Sequence, residues 1–145
     1  MPVRRVKADE AKRLIDEQGY VYLDVRSIPE FEAGHAVGAF NVPLLHMSGG
    51  GMQPNPAFME VVAANFAKDA KLVTGCKMGG RSLREAEMLA AAGFPNVVDL
   101  LGGFGGEYNQ MRELVNPGWT QAGLPVEQEA QPGRAFAEMR TRTKP

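Results

Sequence analysis

The stretch Lys71-Leu-Val-Thr-Gly-Cys76-Lys-Met-Gly-Gly-Arg81-Ser82 carries the chain's only cysteine and decides the fold. Lys71–Thr74 reads as a short apolar strand, Cys76–Gly80 as a glycine loop, and Arg81–Ala92 as a helix stopped by Gly93. A strand that passes through glycines straight into a helix is the elementary step of an α/β layer fold. A thiol at that junction faces loop N–H groups and a helix N-terminus, and both favour the thiolate.

Working outward, the same alternation repeats. Residues 8–18 form an amphipathic helix ended by Gly19, and Tyr20–Arg26 carries the aromatic and β-branched residues of a strand. A helical turn at Glu30–Ala33 precedes a brief strand over Gly38–Pro43. Residues 46–56 read as loop from their glycine and proline content. Asn55 then caps a helix across 57–67, with Pro56 at its first position.

On the other side, Asn96–Leu101 is a strand and Gly102-Gly-Phe-Gly-Gly106 a turn. A last helix is expected over Glu107–Leu114 and a closing segment over Trp119–Val126. The pattern predicts one α/β domain over residues 1–126 with a largely parallel sheet. Residues 127–145, rich in Gln, Glu, Arg and Thr, read as a C-terminal tail. Arg134–Arg140 forms one helical turn or two, and the sequence leaves open whether the tail docks.

A chain of 145 residues, 44% apolar and 23% charged, is an ordinary globular domain with a real core. Its net charge of −1 gives no electrostatic reason to expect nucleic acid or an anionic membrane surface. One cysteine makes no internal disulfide and suits a reducing compartment. His35 and His46 stand apart with no third ligand pattern, so neither metal nor cofactor is expected. No apolar run approaches a membrane span, and the N-terminus lacks the apolar core of a leader. The expectation is a cytoplasmic protein, monomer or homodimer.

Four readings of the loop compete. Cys76 as a small buried hydrophobe leaves the polar run after it, with Lys77 and Arg81, unexplained. A phosphate loop fits Gly75–Ser82 to G-x-x-x-x-G-K-S/T at every position but one, where Arg81 replaces a lysine whose compact charge that chemistry needs. The third is a phosphatase-like or arsenate-reducing loop, in which a thiolate attacks an oxyanion. That pattern sets five residues between cysteine and arginine, whereas four separate Cys76 from Arg81. The shorter ring of amides suits one terminal sulfur better than a tetrahedral phosphate. The fourth is a sulfur carrier, whose thiolate takes the outer sulfur of a sulfane donor and holds it as a persulfide.

At this point the residues resemble the rhodanese family in its single-domain form. Cys76-Lys-Met-Gly-Gly-Arg81-Ser looks like that family's active loop. Leu23-Asp24-Val-Arg26-Ser-Ile-Pro-Glu30-Phe31-Glu-Ala-Gly34-His35-Ala-Val-Gly38-Ala-Phe-Asn41-Val-Pro43 is similar to its N-terminal signature. Leu101-Gly-Gly103 and Trp119-Thr-Gln-Ala-Gly-Leu-Pro125-Val are similar to its closing motifs. The resemblance implies about five mainly parallel strands with helices on both faces. It implies Cys76 as the persulfide-bearing nucleophile and Lys77, Met78, Gly79, Gly80 and Arg81 as its anion-binding ring. It also implies thiosulfate as donor and cyanide or a thiol as acceptor, with delivery to a protein partner as the alternative. Where that family places a tryptophan soon after the double glycine, this chain has Phe104 and Tyr108.

Around the loop, Lys77 is read either as a lure for a doubly charged donor or as a solvated lysine. Ser82 is either a cap or a donor to Cys76. Asp24 and Arg26 are read as a loop-anchoring ion pair rather than as catalysts, and His35 as a structural hydrogen-bonding residue.

Overall fold

The computed structural model describes residues 3–48, 51–77 and 80–142, with side chains for all of these except 46–48, 51–54, 80–82 and 142. Its core is a five-stranded sheet built from β1 (Arg4–Val6), β2 (Val21–Asp24), β4 (Phe40–Asn41), β7 (Leu72–Gly75) and β8 (Val97–Leu100). The order is β1-β8-β7-β2-β4, and every pairing is parallel. Parallel strands covered on both faces read as continuous apolar runs, and β7 and β8 are buried throughout.

Alternation along the strands sorts side chains into two layers. Leu23, Val25, Leu72, Cys76 and Val97 face one side. There they meet α3 (Phe58–Asn65), α4 (Gly80–Ala91) and α5 (Phe136–Met139). Tyr22, Val73, Val98 and Leu100 face the other, against α1 (Ala8–Gln18), Phe31 of α2 (Ile28–Ala33) and Trp119. Helix α1 ends where Gly19 takes a left-handed φ of 77° and returns its N–H to Leu14 O. Helix α2 starts on a capping box, with Glu30 reaching back to the Ser27 N–H and hydroxyl.

Three segments differ from the sequence-based expectation. Residues 46–56 are not plain loop. β5 (Leu45–Ser48) and β6 (Gly51–Pro54) pair antiparallel, from Leu45 opposite Pro54 to Ser48 opposite Gly51. Two facing strands supply backbone partners that glycine content does not reveal.

The helix expected over Glu107–Leu114 is a hairpin of β9 (Glu107–Tyr108) and β10 (Leu114–Asn116). Asn109 is the cause: its Oδ1 accepts from the N–H groups of Met111 and Glu113, closing a turn in which Arg112 has φ 63°. The third difference is β1, an edge strand whose two arginines are exposed and whose only buried residue is Val6. Asn55 also acts one step early. Its Oδ1 accepts from the Ala57 N–H, and Ala57 is the N-cap of α3.

The segment after Glu127 packs on the body. β11 (Val126–Glu127) pairs antiparallel with β3 (His35–Ala36), and Arg134 Nη1 donates to Gly38 O at 2.7 Å. Phe136 and Met139 are buried in the same cluster as Cys76, ahead of a final 3-10 turn at Arg140–Arg142.

Candidate active site

Cys76 leaves the C-terminal end of β7 and is 1% exposed. The residue before it has to be glycine. A Cβ on Gly75 would stand 2.6 Å from Tyr22 Cζ and closer still to the Tyr22 hydroxyl. Gly75→Ala is therefore expected to cost ~1–3 kcal/mol by overpacking. A denaturant midpoint unchanged by that substitution would show that the ring can step aside. Burial, then the charge of Asp24, pushes the Tyr22 hydroxyl well above its ordinary pKa, so it stays protonated.

The start of the active loop is clamped from a neighbouring turn. Phe104 N–H donates to Cys76 O at 2.6 Å, and Gly105 N–H donates to Lys77 O at 2.8 Å. A peptide is planar and trans, so the Lys77 N–H points opposite the Cys76 carbonyl, away from that turn. Two glycines let the turn form, Gly102 at φ 89° and Gly103 at φ 62°.

The chain then makes an excursion and comes back. Trp119 N–H donates to Gly103 O and Thr120 N–H to Phe104 O, so residues 105–118 begin and end at one place. Gly118 sits at the junction, where a Cβ would strike Gly106 N and the carbonyls of Gly102 and Gly103.

This return corrects the aromatic assignment. Trp119, not Tyr108, is the buried aromatic beside the double glycine. Its Nε1 donates to Pro125 O and its ring meets Tyr22 edge-on at 5.3 Å. Tyr108 stands 46% exposed on the excursion, and Phe104 carries the Arg26 guanidinium 4.2 Å above its ring. The hairpin between Gly103 and Trp119 hides their contact from a reading by linear distance.

Asp24 and Arg26 form the anchoring pair. Arg26 donates through its backbone N–H, Nε and Nη2 to the Asp24 carboxylate, and Nη2 also reaches Gly34 O at 2.7 Å. Asn41 Nδ2 ties the Asp24 and Arg26 carbonyls together. Both charges are buried and mutually satisfied, at the strand end that lies opposite Gly75. His35 stacks on Phe31, with Nδ1 2.8 Å from Phe31 O and Nε2 3.3 Å from Glu127 Oε2, a structural joint with the C-terminal segment.

Of the other expected site residues, Lys77 is exposed beside Cys76. Gly80 and Arg81 are the first two residues of α4, so that helix begins four positions after the thiol. Met78 and Gly79 lie outside the described residues. One group escapes a reading of the sequence. Glu85 of α4 is fully buried, and neither carboxylate oxygen has a hydrogen-bond partner among the described residues. Among the described residues, no three His, Cys, Asp or Glu side chains converge on a metal-sized site.

The family model of the rhodanese-like domain matches residues 7–108. The chain belongs to the rhodanese family. Among relatives of this rhodanese, "Thiosulfate sulfurtransferase 16, chloroplastic" of Arabidopsis thaliana is 39% identical over 108 residues, covering 74% of this chain and 80% of that one. "Senescence-associated protein DIN1" of Raphanus sativus is 38% identical over 116 residues, and the match spans 80% of this chain and 57% of that one. Among solved structures, the M. tuberculosis protein Rv0390 superposes with a TM-score of 0.73 at 23% identity, covering 89% of this chain and all of that one. A rhodanese-related protein from Thermoplasma volcanium gives 0.62 at 26% identity, over 87% of this chain and 99% of that one. Both share the fold described above.

Proposed function

We propose that this rhodanese is a sulfurtransferase that carries a sulfane sulfur on Cys76. It takes that sulfur from a donor such as thiosulfate and passes it to a thiophilic acceptor, cyanide or a thiol. The observation that carries the reading is the placement of the thiol. Cys76 lies at the C-terminal end of a central parallel strand, four positions before α4, with the loop's first two carbonyls drawn off by Phe104 and Gly105. The Lys77 N–H and the helix N-terminus are then available to an anionic sulfur. Relatives named thiosulfate sulfurtransferase support the donor class.

The chemistry balances without a cofactor. The thiol loses its proton to solvent, and the thiolate attacks the outer sulfur of thiosulfate. A new S–S bond forms as the old one breaks, and sulfite leaves with the bonding pair. Cyanide then bonds the outer sulfur of the persulfide, thiocyanate departs and the thiolate returns. Intact mass tests this. A sulfur gained from thiosulfate and lost to cyanide supports the reading, and no gain from any sulfane donor overturns it.

Lys77, exposed at the loop's mouth, attracts the doubly charged donor in this scheme. Lys77→Ala should raise KM for thiosulfate about two- to fivefold, the range of one screened surface charge, and leave an uncharged donor nearly unaffected. Equal effects on both donors would remove the role. A second reading, a relay that hands sulfur to a protein, is favoured by Tyr108, Met111 and Leu114. They stand exposed on the excursion rooted beside Cys76. Loading with negligible turnover of small acceptors would select it.

A further inference from the structure

The C-terminal segment leaves a hollow where it crosses α2. β11 fixes its start, with Glu127 paired opposite His35. Arg134 fixes it again, donating to Gly38 O and accepting at its own carbonyl from the Asn41 N–H. Between α2 and the residues on either side of Arg134 lies a cavity of about 370 Å³. Ile28 and Phe31 line it from α2, and Ala135 and Phe136 from the C-terminal segment. No described residue of the Cys76–Arg81 loop lines it. A largely apolar hollow of this volume with a few polar groups has the form of a small-molecule site.

Those polar groups set its chemistry. Asn41 lines the cavity and is 1% exposed. Its Nδ2 donates to the carbonyls of both Asp24 and Arg26, which fixes the orientation of the amide. Oδ1 is left as an acceptor without a partner among the described residues. Glu32 and Glu129 line the same cavity and are exposed, so they stand at its mouth while Asn41 lies at its floor. Among the described residues neither carboxylate has an ion-pair or hydrogen-bond partner, and no lysine or arginine lines the hollow. Gln128 adds a neutral amide.

We propose that this hollow binds a small heteroaromatic amine. The ring lies against Phe31 and Phe136, its N–H donates to Asn41 Oδ1, and the ammonium meets Glu32 and Glu129 at the mouth. Aromatic walls favour a flat ring, a buried acceptor without a donor favours a ring N–H, and two unpaired carboxylates favour a cation.

The test is an NMR titration of the full chain with tryptamine as probe, at low salt. Saturable shifts are expected in the Asn41 side-chain amide and in the backbone N–H groups of residues 28–32 and 128–137. No saturable shift at millimolar tryptamine would overturn the proposal. Exchanging both carboxylates, Glu32→Gln with Glu129→Gln, should weaken tryptamine binding about tenfold, the combined reach of two screened surface charges. The neutral alcohol tryptophol should bind the wild type about as weakly. Replacing the ring N–H, as in 1-methyltryptamine, should cost about fivefold, the worth of one hydrogen bond.

Equal affinities for tryptamine and tryptophol, or tighter binding of the anion indole-3-acetate, would overturn the choice of a cation. Ala137→Trp, at an exposed α5 position lining the cavity, should occlude it; undiminished binding by that folded variant would place the ligand elsewhere and overturn the site. A dimer that covers the hollow and excludes tryptamine would assign it to a second copy and also overturn it. None of these measurements uses sulfur chemistry, so the result is independent of what Cys76 carries.

Discussion

Cys76→Ser is expected to abolish sulfur loading while leaving the fold in place. Wild-type protein treated with thiosulfate should gain ~32 Da, one sulfur atom, and lose it on addition of cyanide. The serine variant should gain nothing, because a hydroxyl at neutral pH is not ionised and oxygen does not form the S–S bond that stores the sulfur. Turnover should fall by at least ~1,000-fold, since the nucleophile and its intermediate vanish together. The chain has one cysteine, so no second thiol can take over. A hydroxyl at this 1%-exposed position should cost ~1–3 kcal/mol, so folding of the variant is checked first. A sulfur adduct on the folded variant would place the chemistry elsewhere.

The largest stability effect is expected at Asp24. Its carboxylate accepts three kinds of N–H from Arg26, and both residues are buried. Asp24→Ala strands a guanidinium in the protein interior, still attached to Gly34 O and stacked on Phe104 but without counter-charge. The expected loss is ~3–5 kcal/mol, read as a lower denaturant midpoint at unchanged slope. Replacing the pair together, Asp24→Leu with Arg26→Met, should recover much of it, because two apolar side chains carry no charge-burial penalty. A double variant as unstable as Asp24→Ala would mean that shape, and not the stranded charge, sets the loss. The damage should reach the active loop as well. Asp24 is paired in register with Gly75, and Val25 N–H donates to Gly75 O.

Those two expectations draw on parts of the fold that are legible in the amino-acid sequence. Helix α1 reads residue for residue, because an amphipathic run ends at a glycine free to turn left-handed. β2, β7 and β8 stand out as apolar runs that the sheet contains. What escapes depends on contacts between distant residues. β1 is an edge strand with one buried side chain, too little signal against two arginines. The Glu107–Leu114 stretch has helical composition, and one side chain, Asn109, turns it into a hairpin. Glu85 resembles any charged helix residue, although its spacing to Ala86 and Leu89 places it on the inward stripe.

The excursion over residues 105–118 has a consequence of a different kind. Its two ends touch at Gly106 and Gly118, and the sheet and both cores are complete without it. Such a segment is a seam at which the polypeptide can be lengthened, shortened or opened at little entropic penalty, since closing a longer loop costs only a fraction of a kcal/mol per doubling. A peptide graft at its tip, near the 81%-exposed Met111, would hang from the turn whose N–H groups hold the Cys76 and Lys77 carbonyls. Under the relay reading, rewriting this single surface hairpin would change which protein receives the sulfur.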